Sequence, residues 1–294
     1  MFKKYFLPDF DKSKFGMIYA GSRKRYATAT AVMFINDEII VCASYLNREL
    51  YLLNINTGEI LFKIKTNYFN DLLDYKNGLI VTSNLMYQDK PSAISIFKVD
   101  IENKIIFFVK DIILEPKGII GVHGIRIIDD KTVIVTCTNN ENRGLLFYDI
   151  ENNKKIKVFN NFKYRPKDVF IQENKNIIYV ISCSTSPSYS KYNINESILY
   201  MFEYSTLKLI DKLLFQGQID AINIIEKEGE DTDNGFITLQ SEDALLHFKV
   251  KNNKIEFIKN IKGFNFPHGI GSYKNKIAVT NYGDNSIQLF DFID

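Results

Sequence analysis

One short apolar segment recurs six times in this chain, and that recurrence limits the fold more than any single motif does. The copies are Ile39-Ile40-Val41-Cys42, Leu79-Ile80-Val81-Thr82, Val133-Ile134-Val135-Thr136, Ile178-Tyr179-Val180-Ile181, Phe236-Ile237-Thr238-Leu239 and Ile277-Ala278-Val279-Thr280. Each is rich in β-branched or aromatic residues and is bounded by polar residues, and long 3.6-residue periodicity is scarce, so the chain reads as all-β. A polar loop follows each copy, then an alternating strand, a tight turn and a further strand. LYLLNINTGEILFKI (Leu50 to Ile64), LLFYDIENNKKIKVF (Leu145 to Phe159) and LLHFKVKNNKIEFIK (Leu245 to Lys259) show this best. Their turns, Asn56-Thr57-Gly58, Asn152-Asn153 and Asn252-Asn253, supply residues that tolerate the left-handed backbone of hairpins.

Another strand precedes each copy, entered at Thr30-Ala31, Asp71-Leu72, His123-Gly124, Asp168-Val169, Asp220-Ala221 and His268-Gly269, with spacings of 41, 52, 45, 52 and 48 residues. Four-stranded units of this length are propeller blades, which close radially and so leave few exposed edges. The expectation is a single domain over 1–294, a six-bladed β-propeller with blades near 29–66, 70–112, 121–160, 167–216, 219–260 and 266–294. The sixth unit lacks its fourth strand. Phe2 to Leu7 has the alternation of one, so the N-terminal strand is expected to complete the last blade and close the ring.

Composition narrows the partners. With 46% hydrophobic and 24% charged residues the chain is not a disordered one. Its 37 basic and 35 acidic residues are interspersed and leave a net charge of +2, which argues against nucleic acid as a partner. No run of eighteen apolar residues occurs, and MFKKYFLPDFDK breaks at Pro8 and Asp9 before any signal-peptide core forms, so a cytoplasmic protein with no membrane partner is expected. Cys42, Cys137 and Cys183 cannot all pair and match no metal spacing; reduced, buried thiols are expected. The absence of Trp speaks against WD repeats. Nucleophile-elbow, P-loop, dinucleotide-binding and HExxH motifs are absent.

PHGIGSYKNKIAVTNYGDNSIQLFDF (Pro267 to Phe292) and VHGIRIIDDKTVIVTCTNNENRGLLFYDI resemble the repeat of six-bladed propellers in the paraoxonase, gluconolactonase and NHL/YVTN superfamily, over nearly the whole chain at repeat level. Phe266-Pro267-His268-Gly269-Ile270 is similar to a paraoxonase segment that carries a histidine near the active centre. The resemblance implies a lactonase, a lyase or a binding platform, and in its calcium-dependent members a metal held by acidic and amide side chains at the top of the channel. No Glu stands at any of the six strand entries here.

Equivalent residues at the starts of the inner strands should form a ring at one channel mouth: Thr30, Asp71, His123, Asp168, Asp220 and His268. In that ring His123 and His268 are the candidate catalytic acid/base groups. Asp71, Asp168 and Asp220 are candidates to orient them or to hold a divalent cation (calcium, manganese or zinc). Six residues around a mouth cannot all bind one ion, so adjacent pairs or a water-rich site are expected. The same residues could instead bond neighbouring backbone and serve structure. Loops between second and third strands open on this face. There Arg48, Arg143, Asn281 and Tyr282 are candidate substrate-binding residues, Arg23, Lys24 and Arg25 could extend a cationic lip, and Ser184 to Ser197 could form a lid. His247 reads as structural, and the acidic run from Glu226 to Asp233, within KEGEDTDNG (227–235), as an exposed hairpin tip. The expected function is that of a hydrolase or lyase acting on a small polar or anionic ester or lactone; the alternative is a non-catalytic propeller that binds a small molecule or a protein on its loop face.

Overall fold

Successive strands pair antiparallel within each repeat unit, from the channel outward. The computed structural model describes residues 3–8, 18–20, 23–25, 29–84, 91–114, 119, 121–138, 143–184, 196–225 and 232–293. Blade 1 comprises Ala29–Phe34, Ile39–Ser44, Glu49–Asn54 and Ile60–Lys65; blade 2 comprises Asn70–Lys76, Leu79–Asn84, Ala93–Asp100 and Ile105–Ile113. Blade 3 runs through Val122–Ile127, Thr132–Cys137, Gly144–Asp149 and Lys154–Phe159, and blade 4 through Arg165–Gln172, Ile177–Cys183, Glu196–Glu203 and Leu209–Gln216. Blade 5 is built from Ile219–Ile225, Thr232–Leu239, Ala244–Lys251 and Lys254–Lys262. Blade 6 takes Pro267–Tyr273, Lys276–Asn281 and Ser286–Asp291 from one end of the sequence and its outer strand, Lys3–Phe6, from the other.

That closure is the expected one. Lys3 pairs with Leu289, Lys4 with Gln288, Tyr5 with Ile287 and Phe6 with Ser286. Leu7, buried at 3% exposure, donates its N–H to the Asn285 carbonyl, and the Asn285 amide returns a bond to the Leu7 carbonyl at 2.9 Å. The Tyr5 hydroxyl reaches the Ile55 carbonyl of blade 1 at 2.8 Å, so the seam is tied sideways as well.

Second strands are covered by a blade on each side, and Ile39–Ser44 and Ile177–Cys183 are buried throughout, whereas the outer strand Lys154–Phe159 is almost wholly exposed. This explains why the second strand, apolar on both faces, is the repeated signal. Tyr51, Tyr148 and Tyr179 are the largest fully buried side chains of these interblade cores. All three cysteines are free and buried; burial pushes the Cys42 thiol up and that of Cys137 to about 12, so neither is a reactive thiolate. Asp233 and Asn234 depart from the expected exposed tip: they lie buried in the strand Thr232–Leu239, Asp233 bonded to Lys175 at 2.7 Å, while 226–231 fall outside the described residues. Among the described residues no helix is long and apolar enough to cross a membrane.

One irregularity positions the site. All six inner strands carry a register shift at their first residues, between Ala29 and Ala31, Asn70 and Leu73, Val122 and Ile125, Pro166 and Asp168, Ile219 and Ile222, and Pro267 and Ile270. A bulge of this kind re-aims a side chain, here toward the axis.

Candidate functional site

The bulged residues define the ring, and in blade 4 the ring residue is Lys167 rather than the expected Asp168. Interblade bonds show the equivalence. The Lys167 carbonyl accepts from Thr136 Oγ1 at 2.8 Å and faces His123 Nδ1 at 3.0 Å, just as the Thr30 carbonyl accepts from Thr280 Oγ1 at 2.9 Å and faces His268 Nδ1 at 2.9 Å. Ser83 and Thr238 clip the carbonyls of His123 and His268 in the same way. The glycine after each ring histidine permits this approach, since a Cβ on Gly124 would lie 2.7 Å from the Lys167 carbonyl oxygen and one on Gly269 2.4 Å from that of Thr30.

Four ring side chains meet across the axis. His123 Nε2 lies 3.0 Å from Asp220 Oδ1 and 3.4 Å from Asp71 Oδ2, and His268 Nε2 lies 3.4 Å from Asp71 Oδ1 and 3.6 Å from Asp220 Oδ2. The imidazoles face each other with centroids 6.1 Å apart. Blades three apart thus contribute like residues, Asp71 opposite Asp220 and His123 opposite His268, and the expected adjacent pairs give way to one converged cluster. Its members are 3–5% exposed, so the centre is a buried axial one and not an open mouth. Lys167, with a side chain 19% exposed, bonds Asp220 Oδ1 at 3.3 Å.

The electrostatics follow from this packing. Burial alone would raise the Asp220 carboxyl, but Lys167, His268 and His123 outweigh it and hold the group well below the usual carboxylate range. Burial would lower His268; the carboxylates of Asp220 and Asp71 overcome it and raise the imidazole above its ordinary value. Lys167, also opposed by burial, is raised chiefly by Asp220. Asp71 Oδ2 makes no hydrogen bond among the described residues, although His123 Nε2 is 3.4 Å away.

Asp168 does not join the centre. Its Oδ2 accepts from Arg126 at 3.0 Å and from the Ile222 N–H at 3.0 Å, in a second charged layer further along the inner strands, where Arg126 and Asp74 stand three residues after His123 and Asp71. Arg126 also donates to the carbonyls of Ile125 and Ile222 at 2.8 and 3.1 Å, and Asp74 accepts the Ile127 N–H at 2.7 Å. Lys167, Arg126 and Asp74 are charged channel residues that the strand-entry pattern does not reveal. The signal for Lys167 is its place two residues before a buried apolar position, Val169, matching His123 before Ile125 and His268 before Ile270.

The candidate substrate-binding residues are spread out. Tyr282 stacks on the His268 ring at 5.0 Å. Asn281 is engaged inside blade 6, accepting the Asn265 N–H and donating to Ser286 and Gln288, so its amide is structural. Arg48 sits over the Phe69 ring at 5.7 Å and Arg143 bonds the Phe162 carbonyl at 3.2 Å, so both guanidinium groups are engaged between blades. Of the proposed lid, Ser184 to Ser197, residues 185–195 lie outside the described residues, while Glu196 and Ser197 belong to the third strand of blade 4; the side chains of Arg23, Lys24 and Arg25 also lie outside the described residues. His247 bonds Asn234 at 2.8 Å and stacks on Phe236, a packing role.

A six-bladed propeller with a buried His/Asp centre on its axis is the class that fold and site define. No family model matches the chain, and no curated protein matches it. Solved structures of similar fold include the WD40 repeats of RRP9, at 9% identity and a TM-score of 0.57 over 92% of this chain and 96% of that one. A chain of the mitotic checkpoint complex is similar at 10% identity and a TM-score of 0.57, over 90% of this chain and 77% of that one. At such identity the likeness is one of architecture, and the missing Trp bears on the WD repeat signature, not on the shape.

Proposed function

We propose that this chain is a propeller enzyme of the hydrolase or lyase class, acting at the axial centre on a small polar or anionic ester, lactone or related metabolite. The observation that carries this reading is the convergence of two imidazole Nε2 atoms and two carboxylates on one point. Each imidazole is anchored through Nδ1 on a backbone carbonyl, which fixes the ring and leaves Nε2 as its reactive edge. The carboxylates hold positive charge on that edge, and the Lys167 ammonium provides a cation on the more exposed side for an anionic group. The resemblance to paraoxonase-type propellers supports the same reading. The calcium implied by that resemblance does not suit these donors, because calcium takes six to eight oxygen ligands and half of the converging groups here are imidazoles.

A second reading, a non-catalytic propeller that binds a protein or small ligand on its loop face, is favoured by the depth of the centre and by fold neighbours drawn from RRP9 and the mitotic checkpoint complex. A cytoplasmic setting accords with three free, buried thiols. The test is turnover of a panel of lactones and esters by the native chain and by His123→Gln and His268→Gln, with folding checked by circular dichroism. The enzyme reading expects activity that drops by about 100-fold or more in each folded variant. Turnover that persists in both variants, or none by the native chain, sinks it.

A further inference from the structure

We propose that the axial centre binds a divalent transition-metal cation of the zinc type, held by Nε2 of His123 and His268 and by the carboxylate of Asp71, with the Asp220 carboxylate beside it as a balancing charge. This goes beyond the enzyme reading and stands equally for a binding platform; in an enzyme it makes the imidazoles ligands instead of bases.

The donor chemistry points this way first. With Nδ1 turned to a backbone carbonyl, Nδ1 carries the hydrogen, so a neutral imidazole presents a bare Nε2 lone pair to the centre. Ionised carboxylates are acceptors only. Two imidazole edges and two carboxylates therefore face one another in a buried space, and among the described residues Lys167 bonds only one of the two carboxylates, Asp220. A proton on each Nε2 serves this cluster poorly, because each nitrogen faces two carboxylates with one N–H, and Asp71 Oδ2, more than nine-tenths buried, is left without a hydrogen bond. A single divalent cation satisfies both Nε2 atoms and Asp71 at once.

Geometry agrees. Each Nε2 lies 3.4 Å from an Asp71 oxygen, a separation of the size expected between donors about 2.0–2.2 Å from a common centre. One donor atom each from Asp71, His123 and His268 lies within 4.8 Å of the other two. The support is also what a ligating imidazole requires: a carbonyl acceptor fixes the tautomer and aims the ring, and hydroxyls from the preceding blades fix those carbonyls in turn. Two imidazole donors favour zinc, iron, nickel or copper over calcium. Asp220 is engaged by Lys167 and His123 through Oδ1, so it lies beside the three converging donors as a neighbouring negative charge.

The test uses the full chain, stripped of metal by a chelator and titrated with zinc by calorimetry and with cobalt by visible absorption. The expected result is saturable uptake of one ion per chain, a rise in melting temperature with zinc, and cobalt bands of nitrogen–oxygen coordination. His123→Gln and Asp71→Asn should each lose more than the about 10–100-fold in affinity that loss of a merely orienting group costs. Asp168→Asn and His247→Gln should bind as the native chain does. Absence of stoichiometric uptake by the native chain, preference for calcium over zinc, or equal uptake by folded His123→Gln would each overturn the assignment. Should a ligand variant fail to fold, the native chain's zinc-dependent melting shift and cobalt spectrum still decide.

Discussion

Two charged layers lie on the same inner strands, and they are stabilised in opposite ways. In the deeper layer the charge is a guanidinium, which has donors only and keeps its proton; Arg126 spends its terminal nitrogens on two backbone carbonyls and Asp168, and Asp74 takes a backbone N–H beside it. In the upper layer the charge comes from imidazoles that present lone pairs to carboxylates unless a proton or a cation stands between them. The difference teaches that buried charge can be either a permanent fastening or an exchangeable seat, and that the identity of the cationic side chain decides which.

Arg126→Met should give the largest effect. Two buried carboxylates lose their partner, and urea unfolding at neutral pH is expected to show a loss of about 3–5 kcal/mol. The sign with pH is set by Asp74 and Asp168, whose carboxyls burial raises while Arg126 opposes the rise. Without the arginine they rise further, so stability is greatest below the unfolded carboxyl range and falls as pH climbs through the folded values; the deficit should shrink at pH 5 and grow at pH 8. A deficit independent of pH would break the view of this layer as a charge fastening. Next in size, removing residues 1–8 withdraws the closing strand and buried Leu7, worth about 2 kcal/mol for that side chain alone. Thermal melting should fall without the pH signature of Arg126→Met, separating rim from axis.

Asp71→Asn should alter the metal-free protein by no more than about 1 kcal/mol in urea unfolding, since it removes one of two facing carboxylates, yet it should abolish the zinc-dependent rise in melting temperature. A loss as large as that of Arg126→Met would make both layers structural. The smallest change belongs to Lys167→Met. Its side chain is partly exposed and its partner Asp220 keeps both imidazoles, so stability should move by under about 1 kcal/mol while zinc affinity, read by calorimetry, rises as a neighbouring positive charge is removed.

Much of this was legible in the chain itself. Second strands such as Val133 to Thr136 are sandwiched between blades, so they must be apolar on both faces and they announce the repeat. Lys3–Phe6 announced itself as a missing fourth strand. Five of the six ring residues could be read from strand entries, but Asp168 displaced Lys167 because an acidic side chain at a strand start looks like a site, while the register is set by the apolar residue that follows two positions on. Convergence was not legible at all. It depends on bulges that turn side chains inward, and a bulge leaves no mark in composition. Arg126 was overlooked because one charge within Ile125-Arg126-Ile127 reads as an ordinary outward position, whereas on an inner strand the second face is the channel.

The closing strand has a consequence for how the protein is made. Lys4 and Asp284, which form an ion pair at 2.6 Å, are separated by 280 residues. At ordinary synthesis rates of about 5–20 residues per second, the strand emitted first waits roughly 15–60 s for its partner. Through that interval the nascent ring carries an unclaimed strand at one end and, once blade 6 emerges, a vacant edge at the other. Two chains made side by side can trade those strands, each completing its neighbour's last blade, so any strand-swapped dimer is expected to increase with crowded translation or overexpression.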